Sequence, residues 1–262
     1  MKIVVCIKQV PASNDAKIDP ETKRIVREGS KAIVNPFDLY AIEEAIAIRE
    51  QVGGEVIALS MGPEKAKAAL VEALSMGVDR AILLSDRAFG GSDTWATSYA
   101  LARAIHTIGD VALILCGKQA VDGDTAQVGV GIAAKLDIQQ AANVWSVESI
   151  SSDAITVKRI NERGWDVAKL AYPALLTVVK DINSPRIPTL HDARIARRAD
   201  IPVWKPEDIG ADPNLLGLKN SPTQVVRTAP PAARNAVTLK IDRAPEEAAG
   251  RLVEELLKRD FL

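Results

Sequence analysis

The sequence predicts an α/β protein: an open, Rossmann-like, mostly parallel sheet with antiparallel additions and a proline-rich C-terminal arm. Three observations carry that reading. Short runs rich in Ile, Val and Leu, with little alternation, recur at residues 3–7, 56–59, 81–84 and 111–116, as for strands buried on both faces. Longer helical patterns separate them, so strand, helix, strand, helix implies crossover units in one sheet. Ten of the fourteen prolines lie from Pro173 to Pro245, which rules out a second domain of regular elements there.

The elements follow in order. Asn35 before Pro36 marks a helix start, Leu39, Ile42 and Ile46 its buried face, and Gly53–Gly54 its stop. A second helix over 64–76 closes at Gly77, and a third over 92–108 ends at Gly109. Residues 149–160 and 165–180 read as strands, with Ser152 and Asp153 turning a hairpin between 147–150 and 155–160; both are expected as antiparallel additions. The tail ends in an amphipathic helix over 246–259, apolar at Leu252, Val253, Leu256 and Leu257. Such a tail is expected either to wrap a partner chain or to be a linker with a surface helix. The domain boundary is placed between 183 and 184, leaving 184–262 as docking segment and arm.

Composition excludes several functions. Of 262 residues, 33 are Lys or Arg and 34 Asp or Glu, a net charge of −1 that argues against nucleic acid or an anionic membrane as partner. Cys6 and Cys116 sit singly inside apolar runs, without metal-ligand spacing or a disulfide framework, so no metal is expected. No run approaches the ~20 apolar residues of a membrane span. The opening residues lack a signal peptide's long apolar stretch and cleavage site. A cytoplasmic protein without membrane insertion is expected.

No hydrolytic or metal motif is present, and the first strand runs into Lys8-Gln9-Val10-Pro11 without a glycine fingerprint. The informative stretch runs from Cys116 through Asp122, Gly123, Asp124, Thr125, Ala126, Gln127, Val128, Gly129, Val130 and Gly131 to Ala133: a buried strand, a glycine-bearing turn and a helix. Asp124 and Gln127 have the spacing of a capping box, after which free backbone N–H groups would face a phosphate. The small residues Ala126, Gly129, Gly131 and Ala133 would allow close approach of a ligand or a neighbouring backbone. Asp122 and Asp124 suit capping and ribose hydroxyls, not direct phosphate contact. A nucleotide site and a merely well-capped helix both fit this pattern. A second glycine turn, Ala88-Phe89-Gly90-Gly91-Ser92-Asp93-Thr94, also precedes a helix at a strand's C-terminal edge, where open sheets gather ligands.

At these residues the sequence resembles the β subunits of electron transfer flavoproteins, most closely their electron-bifurcating and nitrogen-fixation-associated group. Blocks in order carry the resemblance over nearly the whole chain: Val4 to Pro11, Asn35-Pro36-Phe37-Asp38, Ser60-Met61-Gly62-Pro63, Ala73 to Arg80, and Gly117-Lys118-Gln119. The resemblance implies an adenine-nucleotide-binding α/β domain over 1–183 and a heterodimer with a flavin-carrying α subunit. The nucleotide would be FAD in the bifurcating form and AMP in the housekeeping form, an electron carrier between dehydrogenases and a membrane quinone oxidoreductase. Family positions for it fall on Cys6, Asn35, Pro36, Phe37, Asp38, Met61 and the 122–133 turn and helix. Phe89, Gly90, Gly91, Asp93 and Thr94 would lie near the flavin ring and an incoming NADH. Gly123 and Thr125 suit a dinucleotide, so FAD is expected; the group's usual proline is replaced by Val130.

The resemblance also implies that Thr189, Leu190 and His191 dock an acyl-CoA dehydrogenase or related oxidoreductase, with Leu190 as anchor. The expected function is passage of electrons from NADH to ferredoxin or flavodoxin and, through the α-subunit FAD, to that dehydrogenase or a quinone-linked acceptor.

Overall fold

The computed structural model describes residues 1–12, 32–226 and 244–261, which fall into two units, Met1–Val226 and Arg227–Leu262. The first unit opens with β1 (Lys2–Cys6), then β2 (Gln9–Pro11) and β3 (Ala32–Val34), a small antiparallel pair that delivers the chain to α1 (Pro36–Val52). There follow β4 (Glu55–Met61), α2 (Lys67–Met76), β5 (Arg80–Leu84), α3 (Thr94–Ile108), β6 (Leu113–Gly117) and α4 (Val128–Leu136). Beyond them come β7 (Gln139–Ile150), β8 (Ala154–Asn161), β9 (Gly164–Ala171), β10 (Ala174–Val178), α5 (Leu190–Ala196) and β11 (Val203–Trp204). The large sheet has the order β11-β5-β4-β1-β6-β10-β7-β8-β9.

The helix ends obey local chemistry. Pro36 occupies the first turn of α1, where its absent N–H costs nothing. Gly77 closes α2 in the left-handed region with φ 114°, and Asp93 caps α3 by accepting from the Ala96 N–H at 3.0 Å. The apolar runs become fully buried strands: Ile3, Val4, Val5, Val56, Ile57, Ala58, Leu59, Ile82, Leu83 and Leu84 are all 0% exposed. Their side chains alternate between two cores. One holds Ile3, Val5, Val56 and Ala58 against α1 and α2; the other holds Val4, Ile57, Leu59 and Ile114 against α3 and α4.

Two expectations change. The stretch 165–180 is two strands, broken at the cis Tyr172–Pro173 bond. Its second half, β10, inserts between β6 and β7 and pairs parallel with both, so among the described residues of the large sheet only β7–β8 and β8–β9 are antiparallel. Every residue of β10 is buried, the pattern of an interior strand.

Residues 184–226, read from the sequence as the start of the arm, lie within the first unit. Arg186 anchors this stretch: its guanidinium donates to Glu43 at 2.9 Å and to Glu50 at 2.8 Å on α1, and its N–H reaches Glu43 at 3.0 Å. The paired carboxylates hold the Arg186 guanidinium more firmly protonated than an isolated one. In the second unit, α6 (Pro245–Leu257) forms where the amphipathic pattern placed a helix, with Leu252, Val253 and Leu257 each about half exposed. The intervening 227–243 lie outside the described residues.

Replacing Arg186 by Ala leaves the buried Glu43 carboxylate without its fork and should cost about 2 kcal/mol in urea unfolding. Arg186→Lys should recover only part of this, because an ammonium cannot bridge two carboxylates as a planar guanidinium does.

Candidate functional site

The strand order places a reversal beside β1. The chain moves outward from β1 to β4 and β5, then returns to lay β6 on β1's other side, with helices on opposite faces. Ligands in such sheets bind in the crevice beyond the strand C-termini at this reversal. Cys6 ends β1 and its direct register partner Cys116 stands one residue before the end of β6, and both cysteines are buried. A hydrogen bond with Cys6, then burial, pushes the Cys116 thiol well above its ordinary range. Cys116 is therefore not an activated nucleophile.

A buried polar network holds this crevice. Asn35 is 0% exposed and donates from Nδ2 to Asp38 Oδ1 at 2.8 Å and to the Gln119 carbonyl at 2.9 Å. Its Oδ1 accepts from the Val121 N–H at 3.1 Å, while Asp38 Oδ2 accepts from the Lys8 N–H at 2.7 Å. The pair therefore ties the exit of β1, the start of α1 and the loop after β6 to one point. Burial pushes the Asp38 carboxyl up to about 7, against the opposing hydrogen bonds from Asn35, Lys8 and Gly117. Gly117 is required here, since a Cβ would stand 2.3 Å from Asp38 Oδ1 and 2.7 Å from the Phe37 carbonyl carbon.

The turn 120–127 lies above that network, with 122–127 exposed. Gly123 and Asp124 donate back to the Ala120 carbonyl, but the N–H groups of Thr125, Ala126 and Gln127 bond to no other described residue. The expected capping box does not form. Asp124 (φ 56°) and Ala126 (φ 54°) are left-handed, so the helix cannot begin at 124 and α4 starts at Val128. Asp124 instead accepts from Gln119 Nε2, and Gln127 Oε1 accepts from the Thr94 hydroxyl at 3.1 Å. Left-handed Ala126 beside right-handed Gln127 turns consecutive N–H groups to one side, the geometry of an anion-binding nest. Asp122 is engaged by Lys8 Nζ at 2.6 Å. Sequence reading missed Lys8, Gly117 and Gln119 as parts of this edge, although all three flank the strand ends that it identified.

The remaining candidates divide by position. Met61 ends β4 on the same edge, and Pro36 and Phe37 open α1 there. The second loop joins the first through Thr94 and Gln127. Phe89 and Ala133 are core residues, 5% and 0% exposed. At Gly129 a Cβ would meet the Thr177 methyl at 2.7 Å, and at Gly131 the Ser98 hydroxyl at 2.8 Å, so both let α4 pack closely. Val128 and Val130 are partly buried in α4's first turn, whereas Gly90 and Gly91 stand exposed before α3. Among the docking candidates, Thr189 caps α5 by accepting from the Asp192 N–H at 3.1 Å, His191 is exposed, and Leu190 is 93% exposed. A cavity of about 500 Å³ lies beside them, away from the crevice, with Leu74, Met76, Val78, Ile187 and Ile195 in its wall. Among the described residues no acidic, His or Cys cluster could hold a metal, and no helix is long and apolar enough to cross a membrane.

Gly117→Ala should destabilise the protein by about 3 kcal/mol, because the contacts lie against backbone that cannot yield cheaply; thermal unfolding measures it. Asp38 sets a pH dependence. Its folded pKa of about 7 exceeds the ordinary 3.8, so the folded state binds the extra proton between these values. Its contribution to stability should therefore fall as pH rises from 3.8 toward 7 and level off above. Urea unfolding across that range should show the wild-type advantage over Asp38→Asn shrinking with rising pH.

Comparison with known proteins converges on the same reading. Residues 22–209 match the electron transfer flavoprotein domain. The chain is 46% identical to the electron transfer flavoprotein subunit beta of Thermoanaerobacterium thermosaccharolyticum and 44% identical to the caffeyl-CoA reductase-Etf complex subunit CarD of Acetobacterium woodii, each over the full length of both chains. It is 43% identical to protein FixA of Azorhizobium caulinodans, over 99% of this chain and 95% of that protein. With a sheet reversal, an exposed N–H-lined turn beside it and full-length similarity of this order, the chain belongs to the electron transfer flavoprotein family, among its β subunits.

Proposed function

We propose that this chain is the nucleotide-holding β subunit of a heterodimeric electron transfer flavoprotein and that its nucleotide is FAD. The observation that carries this is the unbonded N–H row of Thr125, Ala126 and Gln127 at the sheet reversal. Those groups would take phosphate oxygens, supported by the N-terminal end of α4. Among the described residues nothing lies within 4 Å of where a Gly123 Cβ would stand, and the exposed Thr125 adds a hydroxyl. Lys8 and Gln119 occupy the Asp122 and Asp124 carboxylates, so these acids do not confront a phosphate unpartnered. Bound FAD would supply two-electron oxidation of NADH and delivery of single electrons, chemistry that no side chain here performs.

In this reading electrons pass from NADH to ferredoxin or flavodoxin, and through an α-subunit FAD to an acyl-CoA-type dehydrogenase or quinone-linked acceptor. The exposed Leu190, on a segment pinned by Arg186, is the proposed dehydrogenase anchor. Similarity to a caffeyl-CoA reductase-Etf complex subunit and to FixA proteins supports this direction over the AMP-holding carrier.

The test is to co-express the chain with its α partner and count nucleotides by visible spectrum and by release. Two FAD and no AMP per heterodimer are expected; one FAD plus AMP would select the simple carrier. Asp124→Ala and Thr125→Ala should each lower FAD retention, and full flavin content in both would remove the turn from the site.

A further inference from the structure

The second loop is not held by its own helix alone. A segment some 125 residues later crosses it. Leu218 N–H donates to the Gly90 carbonyl at 3.1 Å, and Gly217 N–H donates to the Ser92 hydroxyl at 3.1 Å. The Asp93 N–H donates to the Ser221 hydroxyl at 2.9 Å, and Ser221, 8% exposed, donates onward to the Gly217 carbonyl at 2.9 Å. Asp93 Oδ2 accepts from both the Thr223 N–H, at 2.9 Å, and the Thr223 hydroxyl, at 2.8 Å. Oδ1 of the same carboxylate caps α3 through the Ala96 N–H at 3.0 Å. At Gly91, φ 73°, a Cβ would stand 2.9 Å from the Leu218 Cβ, so the loop and the crossing segment are in tight contact.

We infer that residues 217–223 are a strap that positions the second loop of the nucleotide site, with Ser221 and Thr223 as positioning residues acting through Asp93. Both Asp93 oxygens accept hydrogen bonds from protein groups, so its work is to join strap to loop. The next residue, Thr94, bonds to Gln127 of the 120–127 turn, which extends the connection from strap to turn across the crevice. Partial burial opposes ionisation of Asp93, yet the bonds from Ala96 and Thr223 hold its carboxyl below the ordinary range and keep it charged for this role.

The inference rests on the nucleotide reading of the sheet edge, and the experiment separates the two. Heterodimers carrying wild-type chain, Thr223→Val, Thr223→Ser or Ser221→Ala are purified, and bound nucleotide is followed during dialysis against FAD and AMP standards, together with the visible spectrum. Thr223→Val should release nucleotide on the order of tenfold faster than wild type, the effect of losing a hydrogen bond to a charged group. Thr223→Ser, which keeps the hydroxyl, should restore retention and spectrum. Ser221→Ala should loosen retention in the same direction, and it carries the test if Thr223→Val fails to assemble. Wild-type retention in both Thr223→Val and Ser221→Ala, or equal loss in Thr223→Val and Thr223→Ser, overturns the strap. A wild-type heterodimer with no nucleotide beyond the α-subunit flavin overturns the nucleotide reading instead.

Discussion

The Asn35–Asp38 pair is the constraint on which the site depends. A sheet reversal brings two strand ends together but leaves three loops free to diverge from them. Asn35 and Asp38 join Lys8 between β1 and β2, the first turn of α1 and the loop after β6 through hydrogen bonds of 2.7–3.1 Å. Buried polar groups of this kind are costly unless satisfied, so the fold stands or falls on the whole set. Gly117 completes the arrangement by letting the backbone pass against Asp38, and the Asp38 carboxyl remains sensitive to pH as a result.

Above that base the two loops are built differently. The 120–127 turn places Asp124 and Ala126 in the left-handed region, at a cost of roughly 1 kcal/mol each, and keeps its N–H groups turned outward. The 88–94 loop is held from two sides, by its own helix cap and by the strap. One hydroxyl-to-amide bond, Thr94 to Gln127, links them. A pair of loops fixed from below and joined at the rim is suited to an extended nucleotide, whose affinity depends on donors already in place.

Residues 186–196 are organised separately from those loops. Arg186 fastens it to α1 and Thr189 caps a short helix, so Leu190 can remain 93% exposed on a fixed stretch of chain. A leucine on a restrained stretch has less conformational freedom to lose than one on a free chain.

Much was legible in the sequence because much is local. Buried strands declare themselves by unbroken aliphatic runs, and helix ends by Pro36, Gly77 and Gly109, each acting within a few residues. The family was legible in ordered blocks such as Asn35 to Asp38 and Gly117 to Gln119. What failed depended on distant partners. The placement of β10 between β6 and β7 rests on pairing with strands distant in sequence, and no residue of Ala174–Val178 encodes those neighbours. The capping box at Asp124 was a sound local pattern overridden by Gln119 and by backbone that turns left-handed. Ser221 and Thr223 read as loop residues until the fold brought them to Asp93. The sequence by itself determined the buried parallel strands and the ends of the first three helices, since these depend on neighbours along the chain. The tertiary structure alone decided strand order, the true start of α4 and the strap, because each is a contact between segments far apart in sequence.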